Sequence, residues 1–89
     1  MITEKLVSEY FRTVYGAQQA MTTDAVFNMQ IHWTREVLTR LEAVLRVEGC
    51  DAWRAERIMR GVLGAMEDPQ VALQRVSERA IAVQESMLN

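Results

Sequence analysis

His32 is the only histidine and Cys50 the only cysteine, so the two side chains best suited to chemistry near neutral pH occur once each. A histidine acting as general base needs an orienting partner and a pocket. On a helical wheel His32 falls on a polar side with Asn28, Arg35 and Thr39, which supply neither. Cys50 stands just before a helix start, where a thiol ionises more readily, but no histidine accompanies it. No Gly-rich phosphate loop, Ser-centred elbow or paired-carboxylate motif occurs, and no Cys/His cluster has metal spacing. Neither a catalytic residue nor a cofactor or metal is therefore expected, and the chain reads as a non-enzyme.

Recognition is the chemistry that remains. Between residues 52 and 66, Ala52, Ala55, Ile58, Met59, Val62, Leu63 and Met66 form one apolar helix face. Trp53 lands on the opposite side, with Arg57, Arg60, Gly61 and Gly64. Trp and Arg are enriched at binding hot spots. Each glycine costs roughly 1 kcal/mol relative to Ala in a helix interior, which is accounted for if another backbone approaches there. An internal account is that Trp53 folds back onto Arg57 and the glycines serve packing. Arg54, Arg57 and Arg60 also recur every three residues, as on the second helix of a helix–turn–helix DNA reader. Against nucleic acid stand the net charge of −2, the acidic partners Asp51, Glu56 and Glu42 at i−3 or i−4 of Arg54, Arg60 and Arg46, and Glu48 beside the turn.

Four helices are needed to position these residues, and periodicity supplies them. The first spans about 4–21, with Thr3 as N-cap and Leu6, Val7, Tyr10, Phe11, Val14, Ala17 and Met21 on one face. The second spans 25–48 and ends at Gly49. Its seam is Phe27, Ile31, Thr34, Leu38, Leu41 and Leu45, with a second row of Val26, Gln30, Trp33, Val37 and Val44 beside it. Gln30 and Thr34 interrupt the apolar arc and read as a buried polar pair, or as a polar notch that sets register between helices or copies. Leu38 and Leu41 are expected at the centre of the core. The third helix spans 52–66 behind the Asp51 cap. Asp68-Pro69 announces the fourth, 69–88, carrying Leu73, Val76, Ala80, Val83 and Met87. Short connections favour antiparallel neighbours. The expected fold is a single all-α domain over residues 1–89, a compact antiparallel four-helix bundle.

Composition agrees with this reading. The 89 residues include one Pro and four Gly, so little interrupts the helices, and a hydrophobic fraction of 49% suits a folded chain. A chain of this length buries only about 60–65% of its unfolded surface, so stability can be shared with a partner. A lone cysteine implies no disulfide framework. Glu4, Lys5 and Glu9 exclude a secretory-signal pattern, and the longest uncharged run, Thr13 to Thr23, is too short and polar to span a bilayer. A cytoplasmic protein with no membrane or nucleic-acid partner is expected. The expected function is a small interaction module, an adaptor or inhibitor of bacterial or phage type that occludes or bridges another protein, acting alone or as a homodimer. Its candidate surface is Trp53, Arg57, Arg60, Gly61 and Gly64, together with an overhang of the second helix at Val26, Met29, Trp33 and Val47. The alternative is a DNA-binding regulator using Arg54, Arg57 and Arg60.

Overall fold

The computed structural model describes residues 2–15 and 25–88, apart from the side chains of Val14, Tyr15, Val26 and Phe27. Ala17, Met21 and the expected end of the first helix lie outside that set. Four helices follow in order: α1 Ile2–Tyr15, α2 Ala25–Val47, α3 Ala52–Ala65 and α4 Pro69–Leu88. No strand occurs among the described residues.

The helix ends follow from local chemistry. Gly49 has φ +80°, a left-handed conformation that costs a glycine little. This lets the Gly49 N–H reach the Arg46 carbonyl (3.0 Å) and the Cys50 N–H reach the Leu45 carbonyl (2.9 Å), the two bonds of a Schellman cap. Two residues later Asp51 caps α3, its carboxylate accepting from the Arg54 N–H at 2.8 Å. Met66 is extended and stops α3. Asp68 then accepts from the Gln70 N–H at 2.9 Å, and Pro69 opens α4 where its missing donor is harmless.

α2 is the centre of the fold. α1, α3 and α4 all pack on it, α1 and α3 touch each other, and among the described residues the close backbone packing of α4 is on α2. Consecutive helices alternate in direction, so α2 and α4 run the same way: Pro69 shares a groove with Gln30 and Thr34, and Met87 shares one with Val47. The core gathers Leu6 and Val7 of α1, Val37, Leu38, Leu41 and Leu45 of α2, Ala55, Met59 and Leu63 of α3, and Val76 of α4. The expected burial of Leu38 and Leu41 is borne out.

Several expectations are corrected. Thr3 is not an N-cap, because α1 already begins at Ile2. Its N–H and Oγ1 both donate to Glu42 Oε1 of α2, at 2.9 and 2.7 Å. Glu42 is therefore no surface partner of Arg46: it is 2% exposed, while its Oε2 accepts from Arg46 at 2.8 Å. Its carboxylate sits where the first amides of α1 lack intrahelical acceptors and the helix dipole favours an anion. The polar pair on α2 divides, with Thr34 buried and Gln30 exposed. Ile58 and Met87, expected on core faces, are exposed. Met87 lies near the end of α4, beside Val47 at the end of α2, and is 70% exposed.

Candidate protein-interaction surfaces

α3 buries Ala55, Met59 and Leu63, which leaves Trp53, Arg57, Gly61 and Gly64 as a stripe on the solvent side. Trp53 is 68% exposed, and the Arg57 guanidinium carbon sits 4.8 Å from its ring centroid. The stacking expected of a folded-back indole thus forms without removing the ring from water. A Cβ placed on Gly61 or Gly64 would meet nothing within 4 Å, so internal close packing does not account for either glycine. Arg60 does not join the stripe as an available group. It reaches Glu9 of α1 at 3.0 Å and Glu56 at 3.7 Å. Lys5 donates to Glu56 at 2.8 Å. That bond above all, opposed by desolvation and aided by Lys5 and Arg60 as charges, holds the Glu56 carboxyl below its ordinary value. These groups stitch α1 to α3.

The second expected surface, on α2, is separate. Met29 and Trp33 lie near the start of α2 and Trp53 follows its end, so they do not form one patch with the α3 stripe. Met29 is 56% exposed and Trp33 half-buried. The side chain of Val26 lies outside the described set. His32 is exposed, and its ring and that of Trp33 lie in a T-shaped arrangement with centroids 5.4 Å apart. Cys50 is half-buried against the core. No three His, Cys, Asp or Glu side chains gather as metal ligands among the described residues.

A third surface was missed by periodicity. α2 and α4 enclose an apolar groove of about 510 Å³, with Val44, Ala80 and Val83 among its lining residues and Val47, Ile81 and Met87 exposed along it. Its polar lining is sparse. Arg40 donates to Ser77 Oγ at 2.9 Å, and Gln84 is the remaining polar side chain. Beyond the groove Arg79 binds Glu48 at 2.6 Å, which neutralises the acid beside the α2–α3 turn. Ile81 and Leu88 are offset from the Leu73–Met87 stripe by about one position. Their seven-residue spacing was the available signal for a second apolar row on α4.

No helix among the described residues is long and apolar enough to cross a membrane. The chain matches no protein-family model, and no curated protein or solved structure was found similar to it.

Proposed function

We propose that the protein is a non-catalytic interaction module whose working surface is the α2–α4 face. The observation that carries this reading is the unpaired apolar relief of that face. Val47, Ile81, Met87 and Leu88 are all more than half exposed at one end of two parallel helices. Contiguous apolar surface of this kind on a small domain marks interaction sites. The groove is within the size range of small-molecule pockets, but it is open along its length and offers few polar groups to orient a ligand. A helix or another apolar surface fits it better. The Trp53–Arg57 stripe supplies a second, smaller contact.

Affinity capture from an extract of the native host tests the reading, with wild type and a Val47→Glu/Ile81→Glu variant as baits. Proteins held by the wild type, further copies of the chain included, are expected to be lost from the variant. Identical recovery on both baits would refute the assignment of this face.

A further inference from the structure

We infer that the partner of this face is a second copy of the same chain, bound antiparallel about a two-fold axis at the level of Leu38 on α2. The inference rests on the proposed role of the α2–α4 face and names its occupant.

α2 carries a stripe that stays largely open among the described residues, flanked by α4 only from Arg40 onward, where Arg40 reaches Ser77. Met29, Trp33, Glu36, Arg40, Ala43 and Val47 succeed one another at steps of four and three, the spacing of a helix–helix seam. All are exposed or half-exposed, on the side of α2 that adjoins the groove. The order of residue types is what selects the occupant. Turn the stripe end for end about a point level with Leu38, and position 29 meets 47, 33 meets 43, and 36 meets 40.

Each of these pairings is complementary. Met29 of one copy meets Val47 of the other, apolar on apolar. Trp33, the largest side chain of the stripe, meets Ala43, the smallest, so the indole has room where the opposing helix recedes. Glu36 meets Arg40 and Arg40 meets Glu36. Within one chain these two charges lie 3.9 Å apart and are about half exposed. With one Arg40 nitrogen donating to Ser77, the rest of the guanidinium and the Glu36 carboxylate are placed to meet a charge across the interface. A two-fold interface requires that residue i contact j and j contact i, and this stripe satisfies the requirement at all three pairs. The groove fixes the depth of the contact. Ala43 and Val47 line it together with Val44, Ile81 and Met87, so an indole laid over Ala43 enters apolar surroundings between α2 and α4. In a parallel pairing the two copies of Glu36 would face each other, as would those of Arg40.

The register is tested by charge reversal and mixing. Wild type should show a mass twice its 10.2 kDa in light scattering coupled to size exclusion at high micromolar concentration. Glu36→Arg alone and Arg40→Glu alone each place like charges across both pairs, and each should weaken dimerisation by roughly tenfold or more. Both variants lose the ion pair within α2, which mixing cannot restore. An equimolar mixture of the two should nonetheless recover the dimer, since one copy then presents two Arg and the other two Glu. As a second measure, a Met29→Cys/Val47→Cys chain with Cys50→Ala should form a disulfide-linked dimer under mild oxidation. Met29→Cys alone should not, because its two copies would lie about 27 Å apart along the axis. A strictly monomeric wild type, a mixture that stays monomeric, or cross-linking through residue 29 alone overturns the inference. Monomeric wild type that still captures another protein through Val47 and Ile81 would leave the face as a docking surface. Loss of both would remove that reading as well.

Discussion

Glu42 shows how one buried charge holds two helices in register. Burial alone would push its carboxyl upward, but the hydrogen bonds from the Thr3 hydroxyl and amide and the nearby Arg46 outweigh that and hold it below the ordinary value near 4.5. Because the folded carboxyl is the stronger acid, the native state binds fewer protons than the unfolded chain as pH falls below about 4.5. The stabilisation is therefore complete above that value and is lost as pH falls through the lower folded one. Glu42→Gln should cost about 1.5–3 kcal/mol near neutral pH, the usual worth of hydrogen bonds to a charged group. It should also flatten the acid limb of stability, measured by urea unfolding between about pH 3 and 7. An acid limb of unchanged slope in the variant would place the titrating group elsewhere. Glu42 was hidden in the sequence because Arg46 at i+4 makes it resemble an ordinary surface pair. Its buried partner, Thr3, lies 39 positions away, beyond what local spacing conveys.

The helices themselves were legible because their start and stop signals are local. Asp51, Asp68-Pro69 and Gly49 each act within a few residues of where they stand, and the ends of α2, α3 and α4 follow them. How the helices associate was less legible, since periodicity locates an apolar face without naming its neighbour. Among the described residues α4 packs closely on α2 and on no other helix, so its Ile81 and Leu88 remain exposed although they repeat like core residues. The same distinction separates the glycines. Gly49 needs its left-handed φ, so Gly49→Ala should destabilise by about 1 kcal/mol. Gly61 has ordinary helical geometry and open space beside it, so Gly61→Ala should stabilise by about 0.5–1 kcal/mol through helix propensity. Thermal unfolding of the two variants checks the opposite signs. If Gly61→Ala proves destabilising, the α3 stripe is packed against something beyond the described contacts.

For the whole molecule, the decisive contrast is between an apolar face and an arginine-bearing one. α3 follows a tight turn after α2 and carries Arg54, Arg57 and Arg60, so topology alone resembles a helix–turn–helix unit. The side chains argue otherwise. Arg60 is committed to Glu9 and Glu56, and Arg57 lies over Trp53. The net charge of −2 provides no field to draw in a polyanion, and DNA affinity is dominated by released counterions, one for roughly each phosphate neutralised. A single helix offering Arg54 and Arg57 would neutralise two phosphates or fewer, giving a shallow salt dependence and weak binding. Titration of a fluorescent duplex by anisotropy, from about 50 to 200 mM salt, should show no saturation at micromolar protein. Micromolar binding that falls steeply with salt and disappears in Arg54→Ala/Arg57→Ala would instead make α3 a recognition helix, leaving the α2–α4 face to set the spacing between two bound copies.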